Sequence, residues 1–266
     1  MSQETTLVTG PSSGIGRELA RLFAADGSQL ILASRDEAKL NDLANELREG
    51  PGVTVHVLPT DLSLPGASQQ LFDRVAQLGL DVDVLVNNAG FGHLSRFWEL
   101  PVETYTANLQ VNVTAVTELT RLFLPSMLER GQGRILNVGS TASFQPGPNA
   151  AVYFATKAYV RFFSEALTEE LRGTGVTVTC LCPGPTKTEF VTKADMQSAP
   201  LFQSLMDAST VARAGYRAMR HGKTRIITGW GNKLLAYSSK VSPDWIVRRV
   251  TQMLIALPKA GRKAVE

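Results

Sequence analysis

Short apolar runs alternate along the chain with longer segments whose apolar positions recur at helical spacing. The runs are rich in Val, Ile and Leu and are continuous, a pattern typical of strands buried on both faces. Because right-handed crossovers place the connecting helices on the two faces of such a sheet, this order predicts a parallel α/β fold. The seven predicted strands span residues 5–9, 29–34, 53–58, 82–86, 134–138, 176–182 and 225–228.

The simplest organisation is a single domain over residues 1–266, with a Rossmann-like, doubly wound parallel seven-stranded sheet and helices on both faces in a core at about 5–229. Residues 185–207 interrupt the rhythm of strands and helices, and we interpret them as a lid over the substrate. Residues 230–266 form a basic C-terminal extension. Helices are predicted to begin near Gly14, Asp36, Gly66, Val102, Asn149 and Ser209.

Composition excludes several classes of protein. With 266 residues, 44% of them hydrophobic, and only 2 cysteines, the chain is neither disordered nor stapled by disulfides. Cys180 and Cys182 lie two apart on a predicted strand and are expected to be core thiols in a reducing compartment. No signal-peptide pattern and no run of about 18 apolar residues is present, so we expect a soluble, cytoplasmic protein.

The net charge of +3 conceals an asymmetry, because residues 213–266 carry a net charge of +10 and residues 1–212 a net charge of −7. In residues 230–257 these cations interleave with Trp230, Leu234, Tyr237 and Trp245. Such a composition suits a membrane surface or a subunit contact. Alternatively, the apolar residues cover the substrate cleft and the charges are solvated. Nucleic-acid binding is not expected, since the rest of the chain is acidic and no basic-aromatic groove motif is present.

A glycine-rich loop, TGPSSGIG at residues 9–16, joins the first predicted strand to the first helix. Glycines permit a tight turn and let backbone N–H groups approach a pyrophosphate at a helix N-terminus, where the dipole favours anions. A plain turn is the alternative, because one glycine loop is weak evidence. The predicted phosphate-binding residues are Gly10, Ser12, Ser13, Gly14, Ile15 and Gly16.

The end of the second predicted strand favours NADP(H) over NAD(H). A carboxylate that would bind the ribose 2′-hydroxyl is expected there, but the chain has Ser34 followed by Arg35. A guanidinium suits a 2′-phosphate, and Arg17 approaches from the other side of the loop. In the alternative interpretation the arginines are solvated and Asp36 binds the ribose, although Asp36 fits better as a helix cap.

Ser140, Tyr153 and Lys157 suggest acid–base chemistry. Tyr153 and Lys157 are four residues apart on a predicted helix and therefore share a face. A nearby cation lowers the pKa of a phenol, so Lys157 would make Tyr153 a usable proton donor and acceptor. Ser140, at the end of a strand, would hold the substrate oxygen. A packed ring beside a surface charge is the alternative, since Tyr-x-x-x-Lys is common by chance.

Together these motifs resemble the short-chain dehydrogenase/reductase family over residues 5 to about 190. The motifs are TGPSSGIG, NNAG at 87–90, Asn112, Ser140, Tyr153-x-x-x-Lys157 and PGPTKT at 183–188. The resemblance implies a tetrad of Asn112, Ser140, Tyr153 and Lys157, with Asn112 holding a water that links Lys157 to solvent. It further implies cofactor contacts from Arg17, Ser34, Arg35, Asp61, Leu62, Asn87, Ala89, Gly90, Tyr153, Lys157, Pro183, Gly184, Thr186 and Thr188.

The positions of these residues give a check that is independent of the resemblance. Six of them each follow a different predicted strand, from the first to the sixth in turn. Since the carboxyl ends of parallel strands share one edge, where ligands bind in open sheets, a common site is expected there. The six are Gly10, Arg35, Asp61, Asn87, Ser140 and Gly184.

We therefore expect hydride transfer between NADP(H) and a ketone, aldehyde or alcohol, with Tyr153 as proton donor in reduction and no metal. The expected substrate contacts are Ser140, Ala142, Gln145, Tyr153 and Phe190. The loop residues expected to face the substrate are mostly apolar and favour a hydrophobic carbonyl compound; they are Phe91, Gly92, Thr141, Ala142, Phe144, Gln145, Pro146, Phe190 and Val191. One alternative is a lipid-like substrate, a steroid or a 3-oxoacyl compound, with peripheral membrane contact. Another is the phosphopantetheine of an acyl carrier or a coenzyme A ester that binds near Lys187 and Lys193. A third is a non-catalytic NADP-binding regulator. The resemblance also implies a homodimer or homotetramer built on helices at 102–128 and 149–172.

Overall fold

The computed structural model describes residues 3–50, 52–189, 199–202 and 204–257. Seven parallel strands form its central sheet, as predicted, and two further short strands pair with each other beside it. The strands are β1 Thr5–Thr9, β2 Gln29–Ala33, β3 Val55–Val57, β4 Val84–Asn87, β5 Gly133–Val138, β6 Val176–Cys182, β7 Thr186–Lys187, β8 Met206–Asp207 and β9 Arg225–Ile227.

The strand order is β3-β2-β1-β4-β5-β6-β9, so the direction in which the chain crosses the sheet reverses between β1 and β4. Every pair in this sheet is parallel; Leu7 of β1, for example, lies between Ile31 of β2 and Leu85 of β4. The prediction of six residues for β3 was too long, because this edge strand pairs with β2 over only three residues. In an open sheet of this kind the crevice at the reversal is where ligands bind.

Helices cover both faces of the sheet, and their starts agree with the sequence pattern to within two residues for the predicted six. The second begins at Glu37 with Asp36 as its N-cap, as expected from its Asp-Glu start. The helices are α1 Gly14–Ala25, α2 Glu37–Arg48, α3 Ala67–Gln77, α4 Val102–Leu109, α5 Ala115–Glu129, α6 Ala151–Glu170, α7 Ala208–Arg220, α8 Trp230–Val241 and α9 Asp244–Leu254.

Alternate side chains of each strand enter one of two cores. Val8 of β1 packs with helices α1, α2 and α7 on one face, and Leu7 packs with α3 and α5 on the other. Both are fully buried, which is why the strand sequences are apolar without alternation. Cys180 and Cys182 are buried and unoxidised, as predicted for core thiols, with their sulfur atoms 3.6 Å apart.

The helical run from α4 to α5 contains a feature that the sequence pattern did not reveal. Its middle, Gln110–Thr114, is a π-helical turn, and α5 includes Pro125. A π turn inserts one extra residue and shifts the side chains that follow it, and such turns are frequent at functional sites. Asn112 lies in this turn.

The predicted lid at 185–207 is described only in part. Its two ends pair as β7 and β8, so it leaves the main sheet and returns beside it, and a 3₁₀ turn spans Pro200–Phe202. The sequence pattern did not predict this small sheet. Beyond β9, the C-terminal extension folds as α8 and α9. None of the described helices is long and apolar enough to cross a bilayer.

Candidate active site

The loops after β1 and β4 are tied together by Asn88. Its side-chain amide donates to the carbonyl oxygens of Thr9 and Gly10, both at 2.9 Å, and its backbone N–H donates to the Thr9 hydroxyl at 3.1 Å. An added Cβ on Gly16 would overlap the Asn88 amide. Gly10 itself has φ +64°, a backbone conformation that favours glycine. The glycine spacing therefore reflects close approach of the backbone at the point where the strand order reverses.

The N-terminus of α1 faces the loop that follows β6. Ser13 is the N-cap of the helix, but its side chain makes no capping hydrogen bond. Thr188 lies against Gly14, since a Cβ added there would stand 2.6 Å from Thr188 Cγ2. The N-terminus of α1, with the half-buried Ser12 and Ser13, thus lies beside the PGPTKT segment. Because the helix dipole favours anions at this end, the arrangement suits a bound pyrophosphate.

The two arginines predicted to contact the cofactor differ in their partners. Arg17 pairs with Glu46 at 2.7 Å, and hydrogen bonds from Arg21 and Arg17 lower the pKa of Glu46 to about 2. Arg35 is exposed and has no hydrogen bond or ion pair to any described residue. Of the two predicted cations, Arg35 is therefore the one whose donors are available to a ligand, whereas Arg17 is already held.

The neighbouring polar groups at this side form local turns. The Asp36 carboxylate accepts from the backbone N–H of Lys39 at 3.1 Å, which confirms it as a helix cap. Asp61 accepts from the backbone and hydroxyl of Ser63, at 3.0 and 2.7 Å. Leu62 is buried in the core, and Ser34 Oγ accepts from the Asp36 N–H at 3.3 Å. Ser34, Asp36 and Asp61 therefore shape the loops at the carboxyl ends of β2 and β3.

Ser140, Tyr153 and Lys157 come together beneath the end of β5, as expected from the helical spacing. The Ser140 hydroxyl is in hydrogen-bonding contact with the Tyr153 phenol and also accepts from the Ala142 N–H at 3.0 Å. Lys157 is buried; its Nζ donates to the Val138 carbonyl at 2.8 Å and lies 5.9 Å from the centroid of the Tyr153 ring. A proton donor, a hydroxyl and an ammonium thus share one small volume.

Burial controls the protonation of both groups. Desolvation raises the pKa of Tyr153 to about 12, and the hydrogen bond with Ser140 acts in the opposite direction. The expected lowering of this pKa by Lys157 does not occur in this structure; burial raises the pKa, and the contribution that opposes it is the hydrogen bond with Ser140. Burial also lowers the pKa of Lys157 to about 8, opposed by the nearby thiols of Cys180 and Cys182. At neutral pH Tyr153 keeps its proton and Lys157 its charge.

Asn112, in the π-helical turn between α4 and α5, connects that turn to the loop after β4. Its amide oxygen accepts from the Phe91 N–H at 3.1 Å, and its Nδ2 donates to the Phe91 carbonyl at 2.9 Å and to Thr156 Oγ1 at 3.1 Å. A Cβ added to Gly90 would lie 3.1 Å from Asn112 Oδ1 and 3.3 Å from Lys157 Nζ. The Asn112 side chain is thus engaged by protein groups close to Lys157, so a water held by Asn112 would use its main chain.

A buried polar network beneath the site was missed in the sequence. Asn87 Nδ2 donates to Asn137 Oδ1 at 2.9 Å, and Asn137 Nδ2 donates to Ser164 Oγ at 2.9 Å. The Asn87 side chain therefore lies inside the sheet, so any contact it makes with a ribose would come from its main chain. The sequence signal was an asparagine in each of two apolar strands, Asn87 in β4 and Asn137 in β5. A buried amide requires a hydrogen-bond partner, so two such residues on neighbouring strands indicate a contact between them.

An apolar wall lies beside Tyr153. Ala142 belongs to it, while Gln145 carries a buried Oε1 that has no hydrogen-bond partner among the described residues. Phe190 lies outside the described residues. Residues of the predicted lid and of the C-terminal extension complete the wall. Covering the substrate cleft was the alternative role predicted for the extension. The wall consists of Leu94, Ala142, Ala150, Phe154, Ala199, Leu201, Phe202, Ile255 and Leu257, packed with Tyr153.

The remaining predicted cofactor residues also reach this edge. Ala89 N–H donates to the Thr9 hydroxyl, and the Pro183 carbonyl accepts from the Thr141 N–H at 2.8 Å. The Thr186 hydroxyl donates to the Gly184 carbonyl at 2.8 Å. Ile15, in the first turn of α1, packs against the core. Loops after β1, β4, β5 and β6 are therefore bonded to one another or in contact around one crevice.

Comparison with known proteins identifies the family. A sequence model described as short chain dehydrogenase matches residues 4–199. The chain belongs to the short-chain dehydrogenase family. This dehydrogenase is 30% identical over 254 residues to the ketoacyl reductase HetN of Nostoc sp., covering 93% of this chain and 88% of that protein.

Solved structures agree with the family assignment. A short-chain dehydrogenase from Sphingobium yanoikuyae in complex with NADPH has a TM-score of 0.79 and 30% identity, covering 90% of this chain and 93% of that one. A short-chain dehydrogenase/reductase from Burkholderia phymatum in complex with NAD has a TM-score of 0.79 and 27% identity, covering 89% and 92%. The dehydrogenase described here is therefore an oxidoreductase that uses a nicotinamide dinucleotide cofactor.

The burial of Lys157 predicts a pH-dependent stability. Its pKa of about 8 lies below the ordinary value of 10.5, so unfolding takes up a proton between these pH values and the free energy of unfolding rises with pH. Lys157→Met removes this titration. We expect the free energy of unfolding of the variant minus that of the wild type to fall by about 1.4 kcal/mol per pH unit between about pH 8.5 and about pH 10, measured by urea unfolding.

The exposed Lys223 provides the control, because Lys223→Met leaves the buried ammonium in place. Its difference from the wild type should stay constant over the same window. If the difference in the free energy of unfolding between Lys157→Met and the wild type also stays constant with pH, the lowered pKa of the buried Lys157 is contradicted.

Proposed function

We propose that this dehydrogenase interconverts a ketone or aldehyde and the corresponding alcohol with NADP(H). The observation that carries the proposal is the meeting of Ser140, Tyr153 and Lys157 at the carboxyl edge where the glycine loop also lies. Proton-transfer groups beside a nucleotide crevice suit hydride transfer. Hydrophobic carbonyl compounds are the proposed substrates, because an apolar wall lies against Tyr153.

Each side chain has a separate role in the proposed reduction. When bound, the nicotinamide supplies the hydride to the carbonyl carbon. The Ser140 hydroxyl holds the carbonyl oxygen, and Tyr153 gives its phenolic proton to that oxygen as the alcohol forms. A phenol with a pKa of about 12 is fully protonated at neutral pH and is therefore ready to donate. Lys157, charged below about pH 8, stabilises the phenolate that remains.

Preference for NADP(H) over NAD(H) rests on Arg35. Its guanidinium is exposed, follows β2 and has no partner among the described residues, so it can bind a 2′-phosphate. Asp36 is already used as a helix cap and does not replace the carboxylate that would bind a ribose 2′-hydroxyl. The similar structures were solved with NADPH in one case and NAD in another, so support for the proposed preference comes from Arg35 and Asp36 of this chain.

A lipid-like substrate, such as a 3-oxoacyl compound, is the second candidate. Ile255 and Leu257 of the extension complete the apolar wall and so add apolar surface to the cluster that packs with Tyr153. The ketoacyl reductase HetN is a relative with a substrate of this class in its name. A non-catalytic NADP-binding regulator is disfavoured, because its site would have no use for the Ser140–Tyr153 contact. The lid and the dimer or tetramer stay predictions.

Tyr153→Phe tests the proton donor. Oxidation of NADPH by a panel of hydrophobic aryl and long-chain ketones, followed by absorbance, should fall by about 100-fold or more in the variant, the usual contribution of general acid–base catalysis. Tyr159→Phe is the matched control, since Tyr159 lies on the same helix and its hydroxyl contacts Thr117 at 2.8 Å. Equal turnover by Tyr153→Phe and the wild type would contradict the assigned donor.

Arg35→Asp tests the cofactor preference. Loss of a charge-assisted hydrogen bond costs about 1.5–3 kcal/mol, so the Kd for NADPH should rise by roughly 10–100-fold while that for NADH changes little. Both are measured by fluorescence titration. Arg172→Asp, a change of an exposed arginine that pairs with Glu169, is the control and should leave both constants unchanged. An equal loss for NADPH and NADH would refute the role of Arg35.

A further inference from the structure

Helix α8 presents a stripe of large apolar side chains to solvent. Trp230, Leu234, Tyr237 and Val241 are 82%, 67%, 48% and 86% exposed. Their spacing of four, three and four residues places them on one face of the helix. A surface helix ordinarily turns such a stripe towards the core. This stripe therefore lacks the cover that apolar surface of this size normally has.

Contacts on the opposite face fix this orientation. Asn232 Nδ2 donates to the Thr228 carbonyl at 2.9 Å, and Ser239 Oγ donates to the Phe144 carbonyl at 3.1 Å. Ala236, between them, is 1% exposed and packs beside Cys182. Small and polar residues thus hold the helix to the protein, and rotating it to bury the stripe would break these bonds.

Helix α9 continues the same kind of surface. Trp245 and Met253 are 66% and 58% exposed, and the adjacent Arg248 and Arg249 are exposed with them. Val247 and Thr251 face inward instead. Exposed aromatic and cationic side chains are therefore present on both helices. We call the exposed residues Trp230, Lys233, Leu234, Tyr237, Lys240, Val241, Trp245, Arg248, Arg249 and Met253 the basic-aromatic surface.

Charge indicates what covers this surface. The described part of the extension, residues 230–257, contains four Lys or Arg and one Asp, a net charge of +3, although residues 1–212 are acidic. Lys233 and Lys240 flank the apolar stripe, and Lys240 Nζ lies 5.8 Å from the centroid of the Tyr237 ring. A second copy docking face to face would bring like charges together, which is unfavourable. A negatively charged partner with an apolar interior fits both properties.

We propose that the basic-aromatic surface binds an anionic lipid bilayer. Tryptophan and tyrosine favour the level of the lipid headgroups, and lysine and arginine are attracted to anionic headgroups. Helices α8 and α9 lie in the plane of the interface, with the stripe of α8 entering the boundary between headgroups and acyl chains. Binding needs no turnover and does not depend on the proposed reaction.

The same extension forms part of the apolar wall. Ile255 and Leu257, which follow α9, pack with Tyr153 and Ala142. The surface that binds the bilayer and the wall beside the proton donor thus belong to one segment of about 28 residues, 230–257. If the proposed reaction holds, a substrate dissolved in the membrane reaches the site from this side; this step, unlike bilayer binding, rests on the proposed function.

Vesicle binding tests the proposal on the full chain. The probes are vesicles of phosphatidylcholine with phosphatidylglycerol and vesicles of phosphatidylcholine alone. In a Trp98→Phe background only Trp230 and Trp245 fluoresce, since the chain has 3 tryptophans. We expect co-sedimentation with the anionic vesicles at low salt, a blue shift of the emission and quenching by brominated lipids, all weakened at high salt.

Two double variants separate the contributions of charge and apolar area. Lys233→Ala with Lys240→Ala should lower partitioning by about 25-fold, because each lysine near an anionic surface contributes about fivefold. Leu234→Ser with Val241→Ser should abolish quenching by brominated lipids. Circular dichroism verifies that the exposed changes leave the protein folded. Trp98→Ala is the matched control, since Trp98 is 77% exposed beside Arg96 but lies outside the surface, and it should bind like the wild type.

Three results would overturn the proposal. The first is no binding to anionic vesicles at low salt. The second is binding that both double variants retain or that Trp98→Ala abolishes. The third is a concentration-dependent oligomer in sedimentation velocity that Leu234→Ser with Val241→Ser dissociates, without vesicle binding, because a second copy would then cover the stripe.

Discussion

The amide of Asn88 makes the contact on which the rest of the site depends. By donating to the carbonyls of Thr9 and Gly10 it joins the loops after β1 and β4, where the strand order reverses. The contact requires close backbone approach, and so it demands glycine at position 16. The helix N-terminus of α1 is then held beside the loop that carries Gly90, which in turn lies next to Lys157.

Burial determines how the chemical groups behave at this edge. Desolvation raises the pKa of Tyr153 and lowers the pKa of Lys157. Both effects follow because α6 packs against the end of β5. At neutral pH Tyr153 therefore carries the proton that a reduction requires, and the neighbouring Lys157 is positively charged. The buried Asn87–Asn137–Ser164 network supports the strands underneath without reaching the crevice. The amides of Asn87 and Asn137 thus bond to protein groups inside the fold, whereas the acid–base groups Tyr153 and Lys157 lie at the carboxyl edge of the sheet.

Periodicity and motif spacing predicted the sheet, the positions of the helices and the meeting of Ser140, Tyr153 and Lys157, because these depend on local pattern and on parallel topology. Three features depend on tertiary contacts instead. Arg17 was expected to be available to a phosphate, but Glu46, 29 residues away in sequence, holds it. The pKa of Tyr153 follows from burial, which no spacing encodes. The outward stripe of α8 follows from hydrogen bonds of Asn232 and Ser239 that its own sequence does not reveal.

In the proposed reaction a hydride passes to a carbonyl carbon at this edge while Tyr153 supplies the proton. Deuterium transfer from NADPH labelled at C4 of the nicotinamide measures this directly, with the alcohol product analysed by mass spectrometry and NMR. We predict one deuterium on the carbinol carbon, delivered from only one of the two C4 positions, because the crevice fixes the face of the ring. An alcohol that forms without deuterium at that carbon, or label transferred equally from both positions, would contradict the claim.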